Sequence, residues 1–186
     1  MKQNVLRNKR PVAAFQEFAF RDLDTAEVDA AGDVVPGMGD IYTFRLRALD
    51  ELEWFSMREF GDRLVRRYVI GDFVDDVGDH HAKPEAWMID DEAGNTQTVP
   101  VSEESIRYLA KIERMQGVKR DVFDDDPLEE AYGLKELAFL ALTVPSVWNQ
   151  LRLAVRKVEA EGITKKKPQA QSGTQPLPGS AAEPVT

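Results

Sequence analysis

Residues 41–57, "IYTFRLRALDELEWFSM", switch their hydrophobic period within a few positions, and that switch decides the fold class. In "IYTFRLR" Tyr42, Phe44 and Leu46 alternate with Ile41, Thr43, Arg45 and Arg47, the period of two of a half-buried strand rich in β-formers. From Asp50 the period becomes helical. Asp50 suits the N-cap, Glu53 stands three residues on as in a capping box, and Leu49 and Trp54 occupy the positions of a hydrophobic staple. At 100° per residue Trp54, Met57, Phe60, Gly61, Leu64, Val65 and Tyr68 share an arc of about 140°, which predicts a core-facing stripe that Trp54 begins. Leu52 and Phe55 fall outside it. They either clamp the helix onto the preceding strand, the favoured reading, or anchor a partner as a small exposed apolar spot at a helix end.

Outward from this stretch, "FQEFAF" (15–20) reads as a partner strand, and glycines and Pro36 mark the connection between the two. A two-stranded unit is marginal alone and needs a helix over its apolar face. Residues 71–104 carry ten acids against one Lys and no Arg. Their first part (71–84) reads as a loop, and "WMI" and "TQTV" read as a hairpin about Gly94 and Asn95. Ser102 can cap a helix that Gly117 closes. After the acidic connector that ends at Pro127, "LKELAFLALT" (134–143) predicts a buried helix. Pro145 then opens a second helix with the stripe Val147, Trp148, Leu151, Ala154, Val155 and Val158, ended by Gly162. No internal repeat is evident. The expected fold is therefore α+β: a predominantly α-helical domain with a small antiparallel β element. The expected organisation is a flexible arm over 1–11, one domain over 12–162 and a disordered tail over 163–186. The tail holds four of the ten prolines and almost no large apolar residue, too little apolar surface to offset ordering entropy.

The formal net charge of −9 argues against nucleic acid as a partner, since that binding rests on Lys and Arg neutralising phosphates. The absence of cysteine excludes disulfides, thiol nucleophiles and Cys-type zinc sites. The longest strongly apolar run, "LAFLALTV" (137–144), is eight residues and far short of a membrane span. The basic N-terminus is followed by a segment too polar for a signal peptide, so the expected setting is cytoplasmic.

Candidate chemistry is sparse. His80 and His81 with Asp72, Asp75, Asp76 and Asp79 have metal-ligand types, but their spacing fails the EF-hand pattern and they read as a solvated loop. Asp124 to Asp126 reads as a solvated connector. Arg63, Arg66 and Arg67 read as a solvent face pairing with Glu59 and Asp62. No nucleophile–base pairing, GxGxxG or P-loop is present, so the expectation is no enzyme and no cofactor or metal.

The order of parts adds a resemblance. "YTFRLRALDELEWFSMREF" is similar to the strand-into-helix feature of tail assembly chaperones of long-tailed, siphovirus-like bacteriophages. "LKELAFLALTVPSVWNQL" resembles their C-terminal helical region, with a Pro between an apolar helix and a Trp-bearing one. The likeness spans about residues 40–160, and its motifs are degenerate. It implies a non-enzymatic chaperone in the host cytoplasm that keeps the helical tape-measure protein soluble during tail assembly. Other tail proteins and self-association are further possible partners, and Leu52, Phe55 and Trp148 are the candidate contacts. It also implies a frameshifted longer product, for which Lys165–Lys167 stand where a slippery codon run would fall, although the favoured reading of these lysines is a basic helix end or tail start. The alternative is a structural component of the virion, a minor tail or head–tail connector protein.

Overall fold

The computed structural model describes residues 13–24, 28–33, 35, 39–91, 93–118 and 131–164. The expected arm, the run Asp124 to Asp126, and the tail from residue 165 with its three lysines lie outside the described residues. The fold is α+β. Strands β1 (Gln16–Arg21) and β2 (Ile41–Leu46) pair antiparallel, with Phe18 opposite Phe44 and Phe20 opposite Tyr42. The predicted alternation of β2 holds: Phe44 and Leu46 are buried, whereas Ile41, Thr43 and Arg45 face solvent. Phe20 and Phe44 lie tilted against each other at 5.6 Å, and Phe44 meets Tyr132 at 4.6 Å between ring centroids.

Helix α1 (Glu51–Val65) starts where its sequence directs. Asp50 Oδ1 accepts from the Glu53 amide at 2.8 Å, and Glu53 Oε2 accepts from the Asp50 amide at 3.1 Å, closing the capping box. Glu53 has a second task. Both its oxygens also receive the guanidinium of buried Arg47, one of them from Nη1 at 2.6 Å. The Arg47 amide donates to the Met115 carbonyl at 3.0 Å, so one residue joins the end of β2 to α1 and to the end of α2 (Glu103–Met115). The Arg47 side chain thus continues the strand's outward register yet is buried, because α1 and Phe15 close over it.

The start of α1 corrects three expectations. Leu49 is buried, but Trp54 is 44% exposed, so the staple position does not begin the core stripe. Trp54 shares its arc with Gly61 but lies further toward the N-terminus, where α2 presents Tyr108 and Lys111 rather than its apolar stripe. Leu52 and Phe55 are 79% and 63% exposed and do not clamp the hairpin. The arginines near the end of α1 also find other partners. Arg67 pairs with Glu85, Asp62 is taken by Arg107, and Arg63 lies over the Phe60 ring. After a π-helical turn (Arg66–Ile70), which sets Tyr68 5.0 Å from Trp87, the chain reverses.

The 71–84 segment is not all loop: it holds the short ladder β3 (Phe73–Val74) with β4 (His80–His81). The expected hairpin follows as β5 (Trp87–Asp90) and β6 (Thr96–Val99). A repeat that the linear reading missed becomes visible here. Asp29–Asp33, Asp75–Asp79 and Asp91–Asn95 form the same five-residue turn, with pattern Asp-x-x-Gly-Asp/Asn. In each, the first and fifth residues bond through N–H and C=O at 2.9 to 3.0 Å, and the glycine has φ between +78° and +94°. The leading Asp carboxylate accepts the third and fifth amides in all three.

Helices α2, α3 (Leu134–Thr143) and α4 (Pro145–Thr164) complete the described elements. α1 and α2 run antiparallel, with Arg114 reaching Ser56 and Arg107 reaching Asp62. The core gathers Phe44, Leu64, Ile106, Leu137, Leu151 and Val155 from β2 and all four helices. Of α3, Leu137, Ala138 and Leu140 are buried, while Leu142 is exposed. Pro145 opens α4 as predicted, but the cap of that helix comes from far away. Asp24 accepts the Ser146 amide at 2.9 Å, and Asp22 accepts the Ser146 hydroxyl at 3.0 Å. Gln150 and Glu161 of α4 hold the Arg21 carbonyl and Gln16, so α4 is laced along β1. Gly162 does not end α4. It lies inside the helix, where a Cβ would come 2.6 Å from that of Ala48.

Three substitutions test these joints. Gly162→Ala improves helix propensity by about 1 kcal/mol, yet overpacking against Ala48 costs about 1–3 kcal/mol, so equilibrium denaturation will show net destabilisation or no gain. Glu53→Gln retains a capping side chain but leaves the Arg47 charge buried and unpaired, an expected loss of about 3 kcal/mol. Asp50→Ala removes only the cap and costs about 1 kcal/mol. Equal losses from both would show that the Arg47 pair contributes nothing beyond the cap.

Candidate partner-binding site

Three aromatic residues, exposed Trp54 and half-buried Tyr108 and Trp148, gather on one face of the helical layer. Along α2, Glu104, Tyr108 and Lys111 follow one another at i, i+4 and i+7 and form a ridge with a cleft on either side. Between α2 and α4 lies a cleft of about 490 Å³, walled by Trp87, Val101, Tyr108, Leu142 and Trp148. Between α1 and α2 lies a second, of about 330 Å³, walled by Trp54, Met57, Gly61 and Tyr108. Tyr108 is common to both. It meets Trp148 edge to face at 6.0 Å and 86°, and Lys111 lies 4.8 Å over its ring. Half-burial pushes the Tyr108 phenol above the usual tyrosine range, with Arg152 opposing that shift.

Charge is uneven around the larger cleft. Lys111 Nζ is held by Glu159 at 3.1 Å. Arg152 and Arg156, exposed and one turn apart on α4, line the same cleft without an ion pair to any described residue. The indole N–H of buried Trp87, in the cleft wall, finds no acceptor among the described residues. The arrangement offers apolar and aromatic walls and cationic lips.

Of the residues singled out from sequence, Trp148 stands in the larger cleft, half-buried against the core. Leu52 and Phe55 line neither cleft; they form a separate exposed spot at the start of α1. Trp54 and Tyr108, which had been read as core or passed over, complete the aromatic face. The i, i+4, i+7 spacing of Glu104, Tyr108 and Lys111 was the available signal, but it marks a helix face without saying whether that face is covered.

The His–Asp cluster resolves into two separate pairs. His80 Nε2 meets Asp72 Oδ1 at 2.7 Å, and His81 Nε2 meets Asp75 Oδ2 at 2.8 Å, with His81 stacked on Phe73. Among the described residues no three His, Asp or Glu side chains converge on one point. Nor is any helix among them long and apolar enough to cross a membrane. No family model matches the chain, and neither a curated protein nor a solved structure does.

The Asp turns on these hairpins give a pH prediction. His81, followed by the Asp79 amide, holds Asp75 below the usual aspartate range, and the Asn95 amide and side chain do the same for Asp91. A carboxylate lowered by folding stabilises the turn above its unfolded value of about 3.9, and the stabilisation is lost as pH falls through the lower folded value. The Gly78 and Gly94 amide resonances will therefore move with midpoints below that value. A midpoint at or above it would mean that the carboxylates do not hold the turns.

Proposed function

We propose that this chain is a non-enzymatic binding protein that receives an apolar helix of a partner in the clefts beside α2. In that reading it works as a tail assembly chaperone of a long-tailed bacteriophage, holding the tape-measure protein soluble in the host cytoplasm while the tail tube assembles. The observation that carries it is the row Trp54, Tyr108 and Trp148, three aromatic residues bordering two neighbouring clefts on one helical face. A soluble monomer gains nothing from leaving such residues accessible, whereas helix-in-groove recognition uses aromatic-walled clefts for anchors at i, i+3/i+4 and i+7. The net charge of −9 supports the same role, since like charge keeps loaded complexes apart. The likeness of residues 40–160 to the chaperone family supports the tape-measure protein as that partner. Leu52 and Phe55, exposed and apolar, are a second contact beside Trp148.

Co-expression with the tape-measure protein of the same genome tests the reading. The chain will keep that protein in the soluble fraction. Trp148→Ala, in a variant shown folded by circular dichroism, will weaken the complex by about 2 kcal/mol, the scale of an interface anchor. Phe55→Ala will weaken it less. A tape-measure protein equally soluble without the chain overturns the role, and so does recovery of the chain at stoichiometric copy number in purified virions.

A further inference from the structure

From the lips of the larger cleft we infer that its occupant is an acidic amphipathic helix of a partner protein, whose carboxylates lie along α4. This rests on the reading of the clefts as a helix-docking surface and adds the chemistry of what docks. The chain has 33 acids against 24 Lys and Arg, so a free cation is scarce. The basic side chains of the α2 ridge that border the clefts are already matched: Arg107 with Asp62 and Glu103, Lys111 with Glu159. Arg152 and Arg156 are not matched by any described acid, although both border the cleft and stand exposed.

Their spacing carries the specificity. Side chains at i and i+4 on a helix are about 5–6 Å apart, so a docked helix with carboxylates at i and i+4 presents the same interval to both. Arginine favours such pairing because its planar fork donates two hydrogen bonds to one carboxylate. Arg152 lines the cleft together with Tyr108, whose phenol it favours in the ionised form, so its positive charge acts on the cleft itself. The opposite lip carries Glu104, and Lys111 there is neutralised by Glu159. A helix with acids on both flanks would meet Glu104, so the complementary ligand has its acids on one flank, toward α4. The apolar face of that helix fills the space between Trp148, Tyr108 and Leu142. The overall negative charge of the chain repels acidic polypeptides in general, and these two arginines reverse that locally.

Two designed 18-residue amphipathic peptides with the same apolar face test the inference on the full chain. One carries Glu at i, i+4 and i+8 along one flank, and the other carries Lys there. Fluorescence anisotropy will show binding of the Glu peptide that weakens as salt rises, with the Lys peptide bound at least tenfold more weakly. The charge-reversed variant R152E/R156E will invert the preference, which a merely misfolded variant would not do. Equal binding of both peptides, lost on Trp148→Ala, overturns the acidic specificity and leaves the docking surface standing. No binding of either peptide overturns both. Leu142→p-benzoylphenylalanine, irradiated with the Glu peptide present, identifies the occupant by mass. A peptide adduct supports the inference; a crosslinked dimer or an intrachain link alone assigns the cleft to a second copy or to the chain's own segment and overturns it.

Discussion

The ion pair between Arg47 and Glu53 governs how the elements meet. Both side chains are nearly withdrawn from water, and an isolated charge in that position would be strongly unfavourable. They are tolerable together because the contact is two-pronged and because Glu53 also closes the capping box of α1. The amide of the same arginine fastens the end of α2. Since β2, the start of α1 and the end of α2 converge on one residue, the angle between hairpin and helices is not free. Arg47 is correspondingly held above the ordinary guanidinium range, chiefly by its hydrogen bonds with Glu53.

From that joint follows the exposure of α2. With its C-terminus tied to β2 and its apolar stripe turned into the core, α2 lies between α1 and α4 and leaves the face of Tyr108 uncovered. The clefts on either side are the spaces where neighbouring helices diverge from this ridge. Trp54 and Trp148 border them because each lies at the edge of its own helix's buried arc. Exposed aromatic surface of this kind opposes solubility, and its persistence on a strongly acidic chain is what gives the recognition reading its weight.

The hairpins are organised differently. Their five-residue Asp turns form from local hydrogen bonds between a carboxylate and the amides that follow it, without help from the core. One acidic residue type thus does the same work three times, with Asp75 and Asp91 as the turn-forming acids of the 71–104 segment. Asp22 and Asp24 extend the point, since they cap α4 from more than a hundred residues away.

The sequence by itself determined the elements whose signals are local. The β2 alternation, the capping box at Asp50 and Glu53, the Ser102 cap, the Pro145 helix start and the 87–99 hairpin all depend on residues within a few positions of each other, and all can be read in a line. The Asp-x-x-Gly repeat was equally legible and was overlooked because its three copies are unevenly spaced. Tertiary structure alone decided which apolar faces are covered. Periodicity places Trp54 on the core arc, but only the position of α2 shows that the arc is uncovered at that end. Leu52 and Phe55 remain exposed for the same reason. Gly162, a helix terminator by local rules, lies within α4 because Ala48 packs where its side chain would be. Burial of Arg47, the remote cap of α4 and the two clefts are likewise relations between distant segments. Hydrophobic period fixes which residues share a face, but what that face meets depends on where other parts of the chain come to rest.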